Sequence, residues 1–236
     1  MRRLALALAA AGAAPFLVAA ASPGETPAEL LRLGWRKVVW QGIPPTTFSA
    51  TPGGGVRVQG QAQAGFVFRA VEGPATCLAW RWRVDAGPPP TDLTRRGGDD
   101  RAITLTVGFN GFGPGAGIAA RTQLTIAQTV AGDHRLPRSM LSYVWGGTGR
   151  ESASAPRGFF VNPWSTALSR ARILRPADAP RGQWVEERVD LAADWRAAFG
   201  GDAVPALQEV AVGTDTDDTR STVDARVENI RLVPCG

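Results

Sequence analysis

Apolar and polar side chains alternate at every second position through much of this chain. Residues 78–84 place Leu, Trp, Trp and Val at alternate positions, with Arg81 and Arg83 among the residues between them. Residues 103–109 alternate Ile, Leu, Val and Phe with Thr and Gly, and residues 141–145 place Leu, Tyr and Trp at every second position. A period of two indicates strands that bury one face and expose the other, which is typical of antiparallel sheets.

Two short helices interrupt this strand pattern. Thr26 is the expected N-cap of the first helix, Glu29 closes a capping box, and Gly34 ends the helix. In the second, Leu191 to Phe199 carries large apolar residues at i, i+4 and i+8, and Asp190 is the expected N-cap. The rest of the chain reads as strands and turns.

The last predicted strand changes phase, and the fold class follows from the whole pattern. Its apolar positions switch parity between Val227 and Ile230, so we predict a β-bulge near Glu228-Asn229 that turns both sets toward the core. Many short strands separated by Gly- and Pro-rich turns predict an all-β fold. We expect an antiparallel, jelly-roll-like β-sandwich with one or two short helices.

The N-terminus has the three-part form of a secretory signal. Arg2 and Arg3 precede an apolar run, and three alanines form a small-residue cleavage site before Ser22. We therefore predict a signal peptide at 1–21, a single β-sandwich domain at 22–236, no transmembrane segment after cleavage, and a periplasmic or secreted location. An uncleaved N-terminal anchor is the alternative.

The distribution of charge along the chain argues against nucleic acid as a partner. The formal net charge is +5, and nearly all the basic residues are Arg, with Lys37 as the only Lys. No run of basic residues is interleaved with aromatic ones, so we do not expect nucleic-acid binding.

Cysteine and histidine are scarce. Cys77 and Cys235 can pair in an oxidising compartment, or remain as two separate thiols, and the sequence leaves both open. His134, the only histidine, lies in a polar stretch where we expect it to be solvated.

Two acidic stretches carry the candidate chemistry. The loop 214–219 contains three aspartates and three threonines, and Asp99-Asp100 precedes another predicted strand. An EF-hand is excluded, because Arg220 and Arg226 stand where that loop needs Gly and Glu. Three interpretations remain: a self-bonded turn, a Ca²⁺ site, or a catalytic pair. The candidate metal ligands from these stretches are Asp99, Asp100, Asp215, Asp217 and Asp218.

Catalysis is the less favoured of these interpretations. Asp100 and Asp217 are the carboxylates that we would test as an acid/base pair. Glu186 and Glu187 are adjacent in a predicted strand, so their side chains point to opposite faces and cannot form such a pair.

Exposed aromatic and arginine side chains are the candidate ligand contacts, since apolar sugar faces stack on aromatic rings and arginine binds anionic groups. The candidate ligand-binding residues are Arg81, Arg83, Tyr143, Trp145, Asn162 and Trp164.

A series of short motifs in a fixed order resembles the bacterial "domain of unknown function 3047" family. The motifs are Gly34-Trp35, Gly42-Ile43-Pro44-Pro45-Thr46, Trp80-Arg81-Trp82, Gly98-Asp99-Asp100-Arg101-Ala102, Tyr143-Val144-Trp145, Asn162-Pro163, Gly182-Gln183-Trp184-Val185-Glu186-Glu187-Arg188, Ala198-Phe199-Gly200 and the Thr214–Thr219 loop. Together they span nearly the whole of the predicted domain.

The resemblance implies an exported β-sandwich domain with no established activity, similar in fold to carbohydrate-binding jelly rolls. Asp218 stands where the family usually has Asn, and Asn229 where it usually has Asp. Related sandwiches often use a last-strand carboxylate as a structural Ca²⁺ ligand, which adds Glu228 to the candidate ligands. We expect a non-catalytic module that binds a glycan or cell-envelope component. The alternatives are a polysaccharide-active enzyme and a purely structural or interaction domain.

Overall fold

The computed structural model describes residues 21–40, 42–131 and 133–236. The predicted signal peptide lies outside the described residues, except for Ala21, which begins the first strand. No helix within the described part of the chain has the length and apolar character needed to cross a bilayer.

The described residues form thirteen strands, four α-helices and one 3₁₀ turn. The strands are β1 (Ala21–Gly24), β2 (Arg36–Trp40), β3 (Thr47–Ala50), β4 (Val56–Gln61), β5 (Ala64–Gly73), β6 (Cys77–Ala86), β7 (Arg101–Phe109), β8 (Ser139–Gly146), β9 (Phe160–Val161), β10 (Ser169–Arg175), β11 (Val185–Asp190), β12 (Leu207–Asp215) and β13 (Thr222–Val233). The helices are α1 (Ala28–Arg32), α2 (Ile118–Val130), α3 (Arg150–Ser154) and α4 (Leu191–Phe199), and the 3₁₀ turn is Pro156–Gly158.

These strands form two sheets. The large sheet has the order β1-β2-β5-β12-β7-β8-β10-β9, and the small sheet has the order β11-β6-β13-β4-β3. Neighbouring strands run antiparallel, except that β8 and β10 are parallel, because the connection through α3 and β9 returns the chain to the same end of the sheet. The predicted all-β sandwich is confirmed.

The core lies between the two sheets and includes the inward-facing residues of the predicted alternating stretches 78–84, 103–109 and 141–145. The small sheet contributes Val56, Val58, Leu78, Trp80, Trp82, Val84, Val223, Ala225 and Val227, and the large sheet contributes Val67, Ile103, Leu105, Val107, Phe109, Leu141, Tyr143, Trp145, Val210 and Val212. Five tryptophans in the chain are almost fully buried, and each supplies a large apolar area.

The predicted capping box of α1 is wrong. Pro27 is the N-cap and makes no side-chain cap bond, while Thr26 Oγ1 accepts the backbone N–H of Lys37 at 2.7 Å. Gly34 does end the helix: its N–H and that of Trp35 donate to carbonyls of the last turn at 3.0 and 2.9 Å. The threonine joins the helix to β2 instead of capping it.

The second predicted helix is confirmed as α4. Asp190 accepts the backbone N–H of Ala193 at 2.9 Å, and Gly200 follows the helix with a positive φ of 79°. The apolar stripe buries Leu191 and Trp195, and Phe199 packs against the ring of Trp195.

The predicted bulge is present in β13. Glu228 pairs with Arg81 and Arg231 pairs with Ala79, so two residues of β13 stand opposite Trp80 alone. Asn229 takes a positive φ of 56° at this point. Arg231 therefore lies on the same outer face of the small sheet as Glu228.

Cys77 and Cys235 form a disulfide, with their Cα atoms 5.0 Å apart and a sequence separation of 158. It links the C-terminal segment to the first residue of β6, three positions before Trp80, which stands opposite the bulge. Of the two alternatives that the sequence left open, the structure shows the disulfide.

Two further helices, α2 and α3, were not predicted. In α2, Ile118 and Ile126 are 84 % and 55 % exposed, so its apolar residues do not form a buried stripe that periodicity could reveal. α3 has five residues and is too short for a helical period to show.

Candidate functional site

Antiparallel pairing brings the two acidic stretches together at one end of the large sheet. β12 ends at Asp215 and β7 begins at Arg101, and these two residues are register partners. The loop after β12 and the loop before β7 therefore meet at the same edge. We call the carboxylates gathered here the acidic cluster: Asp99, Asp100, Asp215, Asp217 and Asp218.

Arg101 is the built-in cation of this cluster. Its Nη1 lies 3.3 Å from carboxylate oxygens of both Asp99 and Asp215, and it donates to the Asp99 carbonyl at 2.6 Å. Burial opposes the charge of Arg101, but Asp215 and Asp99 outweigh it and raise the pKa of the guanidinium. One fixed positive charge therefore serves two carboxylates.

Asp100 holds the loop that follows β12. Its side chain is fully buried and accepts the backbone N–H of Thr219 at 2.8 Å, the Thr219 hydroxyl, and the N–H of Asp218 at 3.4 Å. These donors occupy the carboxylate, and no solvent reaches it. The structure therefore corrects the choice of Asp100 as a catalytic carboxylate, because its role is to fix the loop.

Asp215 has an unusual environment. Its Oδ1 is buried and has no hydrogen-bond partner among the described residues. Burial raises the pKa of Asp215 well above its usual range; Arg101 acts against this, while the neighbouring Asp217 and Asp99 add to it. Burial, together with Asp217, Asp100 and Asp99, also raises the pKa of the exposed Asp218. A carboxyl with a raised pKa is better suited to proton donation than an ordinary aspartate.

The cluster offers only a partial calcium site. One oxygen each of Asp100, Asp217 and Asp218 lie within 4.8 Å of one another. Ca²⁺ takes six to eight oxygens, and those of Asp100 already accept loop donors. The calcium ion stays a prediction: thermal melts in Ca²⁺ and in EDTA should differ if the ion binds the folded state, and equal midpoints would overturn it.

Trp164 lies against the acidic cluster with its ring 46 % exposed. The indole Nε1 donates to Asp99 Oδ2 at 2.9 Å, and the guanidinium of Arg96 lies 4.6 Å from the ring centroid. Asn162 Oδ1 accepts the backbone N–H of Trp164 at 2.8 Å, which fixes the turn that presents it. Two of the predicted ligand contacts, Asn162 and Trp164, therefore adjoin the acidic residues.

Tyr143 and Trp145 do not belong to this surface. Their side chains are 0 % and 1 % exposed and face the sandwich core. The Tyr143 hydroxyl donates to Asp194 Oδ2 at 2.8 Å. Both residues are removed as ligand contacts, because the alternation of β8 places them on its inner face.

Glu228 lies far from the acidic cluster. It is six residues along β13 from Thr222, or about 20 Å at roughly 3.3 Å per residue. Its Oε2 accepts from Arg81 at 2.7 Å. Glu228 as a ligand of the same metal site is wrong, because β13 runs away from the loop that precedes it.

Arg81 and Arg83 face outward from the small sheet, as their alternation predicts. Arg83 pairs with Asp85 two residues along the same strand, with a closest approach of 2.6 Å. Arg81 pairs with Glu228. The ligand contacts predicted from the sequence are therefore divided among two outer surfaces and the core.

His134 is buried, which corrects the expectation that it is solvated. Its Nε2 lies 2.7 Å from Glu209 Oε2, and its ring stacks on Phe68 at a centroid distance of 3.6 Å. The polar loop folds onto the outer face of the large sheet and inserts the histidine there.

Sequence reasoning missed Arg96, Arg101 and an internal network at the sandwich edge. Arg101 directly follows the acidic pair, so a counterion could have been suspected from adjacency alone. The edge network joins Glu187, on the inner side of β11, to Trp82 Nε1 at 3.1 Å and to Arg175 Nε at 2.7 Å. Glu186 is exposed on the other side, as the argument against a Glu186–Glu187 pair requires.

Residues 33–231 match a protein family described as "Protein of unknown function (DUF3047)". The chain belongs to this family. The match contains the whole acidic cluster, Trp164 and the bulge. The resemblance drawn from the motifs is confirmed.

One solved structure that resembles this DUF3047 chain is the xyloglucanase domain of NopAA, a type three effector from Sinorhizobium fredii, in complex with cellobiose. It is 11 % identical, with 85 % of this chain and 92 % of that chain covered and a TM-score of 0.46. A likeness at this level carries no inference about ligand or activity. No curated protein sequence matches the chain.

Proposed function

We propose that this DUF3047 protein is an exported, non-catalytic module that binds a glycan at Trp164 and the acidic cluster. The observation that carries the proposal is an exposed indole ring held at the rim of a carboxylate cluster by its own N–H. Sugars present apolar faces, which stack on aromatic rings, and hydroxyl groups, which donate to carboxylates.

The aromatic ring is fixed before any ligand arrives. Asp99 holds the indole N–H, Asn162 holds the backbone of the turn, and Arg96 lies over part of the ring. Arg96 is itself anchored, because its Nε donates to the Pro163 carbonyl at 3.1 Å. A rigid platform loses little conformational entropy on binding, which favours affinity.

The charge at the rim selects the kind of glycan. Five aspartates converge here; Arg101 is shared between two of the carboxylates, and Arg96 lies over the indole. An anionic sugar would meet like charge, whereas the hydroxyls of a neutral sugar would find acceptors at Asp217 and Asp218. The favoured ligand is therefore an uncharged glycan.

A glycan array followed by titration calorimetry on the best neutral ligand tests the proposal. Trp164→Ala should weaken binding at least about tenfold, equivalent to about 1.4 kcal/mol. Trp184→Ala is the matched control, because Arg81 stacks on that ring at the same 4.6 Å but on the small sheet. If Trp164→Ala binds as well as the control, or if no glycan binds, the site reduces to a structural feature.

An enzyme that acts on polysaccharide is the second candidate, and the environment of Asp215 favours it. A carboxyl whose pKa is raised by burial, beside another carboxylate, is the combination that glycosidases use. Release of reducing ends from a bound glycan would support the enzyme. Asp215→Asn and Asp217→Asn should each abolish that release, and activity that survives both changes would exclude this mechanism.

A further inference from the structure

The β-bulge of β13 opens a pocket of about 210 Å³ on the outer face of the small sheet. We call it the bulge pocket. The lining residues used below are Ala79, Arg81, Glu186, Arg188, Asn229 and Arg231. It lies on the sheet that does not carry the acidic cluster, so the two sites are independent.

Strand register places three arginines around one small residue. Ala79 is the register partner of Arg188 on β11 and of Arg231 on β13, and Arg81 lies two positions along β6 on the same face. Directly opposed side chains have Cβ atoms about 5 Å apart. Since Ala79 carries only a methyl group, a notch forms between the two flanking guanidinium groups.

The bulge itself creates this arrangement. Without the extra residue, period-two alternation from Glu228 would put Ile230 on the outer face and Arg231 toward the core. With two residues opposite Trp80, Arg231 turns outward instead. The bulge therefore has a consequence at the surface as well as in the core.

Each of the three guanidinium groups is held along one side. Arg81 donates to Glu228 Oε2 at 2.7 Å, the Nη2 of Arg188 donates to the Pro234 carbonyl at 2.6 Å, and the Nη1 of Arg231 donates to the Asn229 carbonyl at 3.3 Å. The hydrogen bonds made within the described residues leave other N–H groups of Arg188 and Arg231 unused. Held donors of this kind lose less entropy when they bind a planar anion.

The charge balance defines the ligand. Glu228 neutralises Arg81, and the side chain of Glu187 lies on the inner side of β11, where it is bound to Arg175. Of the remaining charges, Arg188 and Arg231 exceed the exposed Glu186 by one. The pocket thus suits a single negative charge, and Glu186 remains as an acceptor for neighbouring hydroxyl groups.

We propose that the bulge pocket binds the carboxylate of an acidic sugar, namely one hexuronate unit of an anionic glycan. Arg188 and Arg231 bind the two carboxylate oxygens from either side of Ala79, and Glu186 accepts hydroxyl groups of the same ring. The small volume limits the occupant to about one ring. The site is complementary to the neutral-sugar site proposed at Trp164 and does not depend on it.

NMR titration of the folded protein tests the assignment with three probes: the methyl glycoside of galacturonate, the methyl glycoside of galactose, and inorganic phosphate. The galacturonide should shift the amide signals of residues 79, 188 and 231, and 0.5 M NaCl should weaken its binding several-fold, because one ion pair is screened. The uncharged galactoside should leave these signals in place.

Three variants locate the site. Arg231→Gln and Arg188→Gln should each weaken galacturonide binding at least about fivefold, and Ala79→Leu should abolish it by filling the notch without changing charge. Arg36→Gln is the matched control, since Arg36 is also exposed and bonded to a backbone carbonyl, that of Trp35. Thermal melts confirm that each variant is folded.

Three results would overturn the proposal: equal binding of the galactoside, binding of phosphate without the galacturonide, or Arg231→Gln and Arg188→Gln behaving like Arg36→Gln. The neutral-sugar proposal is distinguishable, because Trp164→Ala should leave the galacturonide shifts unchanged.

Discussion

Asp215 in the acidic cluster and Asp224 on the outer face of the small sheet differ in the sign of their pKa shifts. In the cluster, burial raises the pKa of Asp215 well above its ordinary value. On the small sheet, the hydrogen bond from Arg57 lowers the pKa of Asp224, although burial opposes it. Both regions contain aspartates beside arginines, so residue type alone does not decide the outcome.

The difference lies in how the guanidinium groups are shared. Arg57 gives Asp224 two hydrogen bonds, from Nε at 3.0 Å and Nη2 at 2.6 Å, whereas Arg101 lies at 3.3 Å from each of two carboxylates. A bidentate pair stabilises the ionised form, but one divided cation cannot offset the burial of Asp215. A strongly raised pKa of this kind marks the cluster as a candidate functional site.

The largest expected loss of stability comes from removing the disulfide in the small sheet. Cys77→Ser with Cys235→Ser removes a crosslink that spans 158 residues, and the chain-entropy model assigns such a loop about 5 kcal/mol. Urea unfolding should show a loss of this order. Hydrogen exchange in the double variant should rise first near Arg188, whose Pro234 contact depends on the crosslink, and only later around Asp100. Equal loss of amide-exchange protection near Arg188 and around Asp100 would contradict this order.

Within the acidic cluster, replacing the buried Asp100 should destabilise the protein more than replacing the half-buried Asp217. Asp100→Ala leaves the Thr219 N–H and hydroxyl without their acceptor and should cost about 2–3 kcal/mol. Asp217→Ala, at a half-buried position of the same loop, should change stability by about 0.5 kcal/mol or less. Chemical denaturation of both variants provides the measurement. Similar losses would mean that Asp100 does not organise the loop.

The pH dependence of stability should have opposite signs in the two regions. Asp215 has a raised pKa in the folded state, so its contribution is present at low pH and is lost as pH rises from the ordinary value near 3.8 toward the raised one. Asp224 has a lowered pKa, so its contribution is present above that ordinary value and is lost as pH falls.

Melting temperatures measured across pH test whether Asp215 and Asp224 contribute to stability with opposite pH dependence. Asp215→Asn should raise the midpoint at pH 7 and have little effect near pH 3, while Asp224→Asn should lower it at pH 7. A lower midpoint for Asp215→Asn at pH 7 would show that Arg101 compensates the burial of its carboxylate after all.

The smallest effect concerns the bulge that opens the pocket. Asn229 has a φ of 56°, a region that asparagine and glycine tolerate better than alanine. Asn229→Ala should cost about 1 kcal/mol, and Asn229→Gly should stay within about 0.5 kcal/mol. Equal stability of the two variants would indicate that the bulge relaxes to another register.

The strands that carry both regions were predictable, because their signals are local. The alternation around Trp80 and Trp82, the cap at Asp190 and the phase change before Ile230 each depend on neighbours within a few residues. Thr26 and His134 were misread for the complementary reason. Thr26 bonds to β2 and His134 to β12, and neither partner is close in sequence.

The sequence by itself determined the alternating strands, the inner and outer faces of most of them, the bulge and the family. Tertiary structure decided which outer faces carry chemistry. Trp164 meets Asp99 across 65 residues, and Arg188 and Arg231 flank Ala79 from two different strands. Period-two alternation fixes the side of a sheet on which a residue lies, but only strand order and register fix which residue lies beside it.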